Sequence, residues 1–167
     1  MKTTILISAC AAGIRSAYNG QLSKRQLSQY WQTSTSAHFI PFCPEQIAGF
    51  STPRPPVEII GGDGFDVLSG HAQVVTCDGL DVTDVFLKSL DDIQTMVHWV
   101  QPSLIVLQER SPSCSCTRIY NGTFSRTLIQ GYGVVAAFCK QNGYALIDIS
   151  TFNKKKACTQ ESVMPLI

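Results

Sequence analysis

Residues 3–10 read Thr3-Thr4-Ile5-Leu6-Ile7-Ser8-Ala9-Cys10, and the reading of this stretch decides the fold. Behind Met1-Lys2, a run ending Ile7-Ser8-Ala9-Cys10 resembles a short bacterial lipoprotein signal. The apolar stretch from Thr3 to Ala9 sits at the bottom of the ~7–15-residue range of a signal core. It also carries three hydroxyl residues, and a single basic residue precedes it. The unbroken Ile5-Leu6-Ile7 is equally what a strand carries when both of its faces are buried in a parallel sheet. Length is the feature a signal cannot do without, so the stretch is read as a first strand over Thr3–Ser8, with Cys10 at its carboxyl end.

Outward from this strand, the pattern alternates. Gly13 and Asn19-Gly20 mark loop positions. Leu22, Leu27, Tyr30 and Trp31 fall at near-helical spacing and predict a helix over 22–35. His38–Phe42 reads as a second strand, ended by Pro41 and the Cys43-Pro44 step. Pro44 suits the first turn of a short helix reaching Ile47. Residues 51–64 (STPRPPVEIIGGDG) hold three prolines and three glycines and read as a loop, partly polyproline-like. Ala72–Cys77 is a short strand, and Asp78-Gly79 turns the chain. Asp81 can cap a long helix to about Trp99, whose stripe is Phe86, Leu90, Ile93, Val97 and Val100. Leu104–Leu107 is a buried strand. Ile119–Leu128 reads as a hairpin around Asn121-Gly122. A helix over Gly133–Gln141 and a last strand over Tyr144–Ile149 follow. From Phe152 on the chain is polar, with Lys154-Lys155-Lys156, and residues 151–167 are expected to form a loosely held tail. With no internal repeat and no second domain, the expected fold is α/β: a single domain, with a largely parallel sheet, flanking helices and a β-hairpin, Rossmann-like.

Composition bounds the function. The 167 residues amount to one domain at roughly 150 residues each, enough to bury about 70% of the unfolded chain's surface. Apolar residues at 44% and charged residues at 15% exclude a disordered tail protein or a coiled coil. Thirteen Lys and Arg against twelve Asp and Glu leave a net charge of +1, so there is no electrostatic footprint for non-specific duplex binding, a local basic patch aside. No stretch approaches ~18 consecutive apolar residues, and no membrane helix is expected.

Seven cysteines are the informative count: Cys10, Cys43, Cys77, Cys114, Cys116, Cys139 and Cys158. Their share lies below the ~8–10% that marks a disulfide scaffold. The odd number and the full apolar core point to a reduced, cytoplasmic protein. Cys10, Cys43 and Cys114 each follow the carboxyl end of an expected strand, where open α/β sheets bind ligands. If those strands are neighbours, three thiols 33 and 71 positions apart could share one site. There is no Cys-x-x-Cys pair, so the zinc-ribbon and ferredoxin signals are absent. Cysteine is also a commonly buried small residue, and packing alone would account for it. Glu45 lies two residues from Cys43, and two hydroxyls flank Cys114 in Ser111-Pro112-Ser113-Cys114. Thiolates with a nearby acid–base group are a layout for metal-assisted hydrolysis. Glu45 is equally a first-turn carboxylate favoured by a helix dipole.

An ordered set of short motifs runs along the chain. It comprises Ser8-Ala9-Cys10-Ala11-Ala12-Gly13, Tyr18-Asn19-Gly20, Cys43-Pro44-Glu45-Gln46, Thr52-Pro53-Arg54-Pro55, Gly61-Gly62-Asp63-Gly64, Ser111-Pro112-Ser113-Cys114 and Asn121-Gly122-Thr123-Phe124. The set resembles the thiouracil desulfurase family over roughly residues 3 to 150. That resemblance implies a [4Fe-4S] cluster held through Cys10, Cys43 and Cys114, with one iron free of protein ligands. It puts the family's catalytic carboxylate on Glu45 and its catalytic serine on Ser111. It implies non-redox removal of sulfur, as hydrosulfide, from a small thiolated uracil or related thionucleobase or thionucleoside, the substrate sulfur binding the open iron. Residues 1–150 would then be the iron–sulfur desulfurase domain. Ser16-Ala17 departs from the Cys-Arg of many members, and Ser115-Cys116 from a more usual Gly-Ser. Cys116 could be an adventitious ligand, an oxidation-prone bystander or a packed thiol; it is read as a bystander, since a thiol two residues on need not face the same site.

Two other classes stay open on the residues: an iron-free hydrolase with Cys114 or Cys10 as nucleophile, and a non-catalytic metal-binding module. No histidine motif supports the first, because His38, His71 and His98 share no spacing. Gly61-Gly62-Asp63-Gly64 lacks the Lys-Ser/Thr of a P-loop and reads as a turn. Arg54 is either a contact to a substrate carbonyl or a surface loop arginine.

Overall fold

The computed structural model describes residues 3–33 and 36–155. In chain order the elements are β1 (Thr3–Ser8), α1 (Gln29–Thr33), β2 (Ala37–Phe42), α2 (Pro44–Ile47), β3 (Val57–Ile60), α3 (Gly64–Leu68), β4 (Gln73–Thr76), α4 (Thr83–Val100), β5 (Leu104–Leu107), β6 (Arg118–Tyr120), β7 (Leu128–Gln130), α5 (Val134–Gln141), β8 (Leu146–Asp148) and α6 (Ile149–Lys155). Four strands form a parallel sheet in the order β2-β1-β5-β8. β3 and β4 pair antiparallel, and β6 and β7 form an antiparallel hairpin. This is the expected α/β single domain with a largely parallel sheet.

β1 lies inside the sheet, and alternation along it sends side chains into two cores. Leu6 joins Ile105 and Leu107 of β5 in one cluster, closed by Phe86, Leu90, Ile93 and Val97 of α4 and by α5. Ile5 and Ile7 face the other way, with Val106, Ile147, Ile149 and Phe152. Burial on both faces is why Ile5-Leu6-Ile7 shows no polar alternation. Asp81 sits one residue ahead of the α4 N-cap position, Val82. Its carboxylate accepts the Thr83 N–H at 2.9 Å and the Thr83 hydroxyl at 2.6 Å, which holds its pKa below the usual value.

The structure departs from the expectations in four places. The helix expected over 22–35 is reduced to α1, and residues 34–35 lie outside the described residues. Leu27 instead docks its N–H on the Ala11 carbonyl at 2.7 Å, and Asn153 of α6 bridges the Ser28 N–H and the Gln26 carbonyl. Leu27 is therefore buried by tertiary contact rather than as part of a helical stripe. The loop expected over 51–64 contains β3, which begins directly after the last proline, Pro56. It also contains the start of α3, whose capping box joins Asp63 and Asp66. The Gly61-Gly62-Asp63-Gly64 run is thus the turn it reads as, and Asp63 in it also caps α3. The hairpin is β6-β7 with a longer connection, residues 121–127, than Asn121-Gly122 suggested. Lastly, the polar stretch from Phe152 begins inside α6. Phe152 is 1% exposed, with its ring 4.7 Å from that of Trp31. Residues 156–167, Cys158 among them, lie outside the described residues.

Candidate active site

The order β2-β1-β5 makes the three cysteine-bearing strand ends neighbours, which is the condition the shared-site reading needed. Cys10 follows β1 in a turn closed by Ala11 and Ala12 N–H groups on the Ser8 carbonyl. Cys43 directly follows β2 and occupies the N-cap position of α2, with Pro44 in the first turn and Glu45 beside it. Cys114 lies on the loop after β5. There the Ser111 hydroxyl oxygen accepts the Ser113 and Cys114 N–H groups, each at 3.2 Å. From behind, Gly133 presses on this loop so closely that a Cβ on it would lie 2.4 Å from the Ser113 carbonyl carbon. Cys10, Cys43, Glu45, Ser111 and Cys114 all line one cavity of about 770 Å³.

The surroundings of Cys10 and Cys114 are electrostatically unfavourable to thiolates. Burial, then Cys43 and Glu45, push the Cys10 thiol up to about 12. Burial, then Cys10, push Cys114 well above its ordinary value, and a hydrogen bond with Ser8 offsets only part of this. Activated nucleophilic cysteines sit in electropositive surroundings. Here burial and neighbouring acidic groups work in the opposite direction, and no histidine lines the cavity. Both facts count against an iron-free cysteine nucleophile. A cationic centre entering the cavity would reverse the balance, because a metal deprotonates a coordinating thiol outright. The donor set fits such a group. It is all sulfur, which selects zinc, Cu(I) or iron–sulfur centres. The Ser16 hydroxyl oxygen and Gln108 Oε1, both of which belong to cavity-lining residues, are buried with no hydrogen-bond partner among the described residues. Among the described residues no three His, Cys, Asp or Glu side chains close on a single ion.

Glu45 is clamped on both oxygens. The Ser113 hydroxyl donates to Oε1 at 2.7 Å, and the Arg54 Nε pairs with Oε2. The pair is buried, with side-chain exposures of 6% for Arg54 and 12% for Glu45. Arg54 also donates to the Ser16 and Ser51 carbonyls and the Thr52 hydroxyl. Arg54 is therefore not a surface arginine: it orients Glu45, and it lines the cavity as well. Its hold on Ser16 extends to Cys43, whose thiol approaches the same Ser16 carbonyl at 3.8 Å.

Sequence reasoning missed two functional candidates. Ser113 was noted only as one of two hydroxyls near Cys114, and nothing in its spacing marks it as the partner of Glu45, 68 positions away. Glu58 falls within the stretch expected to be a loop, yet it is a buried carboxylate that lines the cavity. Cys116 does not line the cavity. Its thiol donates to Asp148 Oδ1 at 3.3 Å, and burial followed by the Asp148 carboxylate raises its pKa. Cys139 is buried in the core and Cys77 is exposed. No helix among the described residues is long and apolar enough to cross a membrane.

Comparison with known proteins gives the family. The uncharacterised protein YbbK of Bacillus subtilis is 42% identical over 149 residues, covering 89% of this chain and 97% of YbbK. A solved [4Fe-4S]-dependent thiouracil desulfidase, TudS, superimposes with a TM-score of 0.78 at 31% identity, covering 94% of this chain and 97% of that one. The family model for 2-thiouracil desulfurase matches residues 5–150, a span that holds all three cavity cysteines, Glu45 and Ser111. With that match along most of its length, the chain belongs to the 2-thiouracil desulfurase family.

Proposed function

We propose that this chain is a [4Fe-4S]-dependent desulfidase that converts a thiocarbonyl of a thiolated uracil, or a related small thionucleobase or thionucleoside, to a carbonyl. Cys10, Cys43 and Cys114 would hold the cluster. Three thiol donors on three adjacent strand ends, facing one cavity with a clamped carboxylate, carry the reading. When bound, the cluster supplies an iron without a protein ligand, a Lewis acid with affinity for soft sulfur.

The net change is hydrolytic: water adds its oxygen to the carbon, and the sulfur leaves as hydrosulfide with a proton released. No electron is gained or lost overall. Glu45 is the base that takes the proton from the water. A carboxylate has about four acceptor positions. Ser113 and Arg54 use two, and both contacts fix the direction of the remainder. Ser111 is the hydrogen-bond donor. Its oxygen already accepts two N–H groups, so its own O–H proton is the part left to give to substrate. The same contacts hold the Cys114 loop, so Ser111 serves both the donor and the thiol.

The test is anaerobic purification followed by iron and sulfide counts, an absorbance scan and a 4-thiouracil assay on one sample. About four irons and four sulfides per chain, a broad band near ~400 nm and loss of the thiobase chromophore are expected. A colourless protein that resists reconstitution overturns the proposal. Glu45→Ala is expected to keep the cluster and lose turnover, and Ser111→Ala to lose turnover, with any loss of iron reporting its hold on the Cys114 loop.

A further inference from the structure

Three glutamates line the cavity: Glu45, Glu58 and Glu109. Two have a partner on each oxygen. Glu45 carries Ser113 on one oxygen and Arg54 on the other. Glu109 pairs with Arg25 at 3.0 Å through Oε2 and accepts the Ser150 N–H at 3.1 Å through Oε1. Glu58 differs. Its Oε2 accepts the Phe124 N–H at 3.0 Å, but Oε1 has no hydrogen-bond or ion-pair partner among the described residues. The residue is only 7% exposed. Oε1 is not sealed from solvent, and Glu58 is one of the residues that line the cavity. The next residue on β3, Ile59, belongs to the apolar core, and alternation along the strand commits Glu58 to the opposite face. Arg126 lines the same cavity without pairing to it.

A carboxylate oxygen that opens on a binding cavity with no protein donor is free to accept from a ligand that displaces solvent there, and such a bond to a charged acceptor is among the stronger ones. A thiolated pyrimidine base offers one: the ring N–H beside the thiocarbonyl carbon, present in substrate and product alike. We infer that Glu58 Oε1 accepts this ring N–H and so orients the base in the cavity. The inference rests on the desulfidase reading above and names how that site recognises its substrate. Phe124 is held by the other oxygen in a left-handed conformation, φ 55°, so one side chain fixes both the base and the 121–127 loop beside it.

The experiment compares 4-thiouracil with N3-methyl-4-thiouracil on cluster-loaded wild type and Glu58→Gln, with iron content and melting temperature recorded for both proteins. Glu58→Gln keeps an amide oxygen for the Phe124 N–H and turns an NH₂ donor toward the cavity, so donor would face donor. Wild type is expected to prefer the unmethylated base by roughly tenfold to a hundredfold in kcat/KM, the range for a hydrogen bond to a charged group. In Glu58→Gln that preference shrinks to within about threefold, mainly through a raised KM for 4-thiouracil, at unchanged iron content. An undiminished preference in Glu58→Gln means that the methyl group is excluded by shape, and overturns the inference. Equal use of both bases by wild type overturns it without any variant. Failure of wild type to process either base, with its cluster intact, removes the desulfidase reading itself and the inference with it.

Discussion

Replacing Arg54 by methionine keeps the aliphatic stem and removes the charge from a buried ion pair. The structure sets the size of the effect. Arg54 and Glu45 expose only 6% and 12% of their side chains, so solvent screens the pair weakly. The substitution leaves Glu45 with a single hydrogen bond, from Ser113, and removes the Arg54 donors from the Ser16 and Ser51 carbonyls and the Thr52 hydroxyl. Removing one partner of a buried pair costs about 3–5 kcal/mol. At about 2–4 °C per kcal/mol for a domain of this size, the melting temperature should fall by roughly 6–20 °C. Urea unfolding of wild type, Arg54→Met, Glu45→Gln and the double variant, under reducing anaerobic conditions, measures the pair directly. The two single losses should exceed the loss in the double variant, with a coupling near the top of the usual range of about 0.5–3 kcal/mol. A coupling indistinguishable from zero, or an Arg54→Met loss below about 1 kcal/mol, would falsify the assignment of Arg54 as the clamp on Glu45.

Three further outcomes follow from the geometry. Ser113→Ala removes the hydroxyl on Glu45 without touching a thiol. It should lower kcat about tenfold to a hundredfold while iron content stays at the wild-type value; a change in iron content alone would assign Ser113 to the loop rather than to Glu45. Truncation after residue 150 removes Phe152 and should destabilise the chain by at least the ~3–5 kcal/mol of a buried Phe→Ala change, read by denaturant midpoint. Cys139 is raised to about 12 by burial alone, so the folded chain holds its proton where the unfolded chain, at the ordinary value near 9.0, releases it. Stability from this group is full below pH 9 and lost as pH rises toward 12, at a slope of about 1.4 kcal/mol per pH unit. Cys139→Ala should flatten the alkaline slope by that amount, and an unchanged slope would rule out the burial effect.

How far the sequence was legible depends on where each residue found its partners. β1, β5, α2, α4 and α5 were read almost to the residue, because their periodicity or capping is local. The helix over 22–35 failed because Leu27 and Ser28 take tertiary partners from the β1 turn and from α6. β3 was hidden by the prolines before it, although Val57–Ile60 carries ordinary strand residues. α3 is five residues long, too short for a periodic signal. The convergence of Cys10, Cys43 and Cys114 on one cavity was visible in outline, since strand ends mark ligand sites in parallel sheets. The bonds that orient the cavity were not. Ser113 reaches Glu45 across 68 positions and Glu58 reaches Phe124 across 66, and no pattern in a single sequence pairs residues at that separation.

The placement of the three thiols on different strands also sets an order of assembly. In a zinc finger, nearby ligands gather the metal and the metal folds the chain. Here positions 10, 43 and 114 meet only after β1 has paired with both β2 and β5. No short segment of the chain contains all three, so nothing can load the cavity during synthesis until the strand at Leu104–Leu107 has been made and inserted. The two apolar clusters that flank β1 are built from side chains other than Cys10 and Cys43. A group held by all three thiols would therefore meet strands already paired, rather than gather them as a zinc finger's metal does.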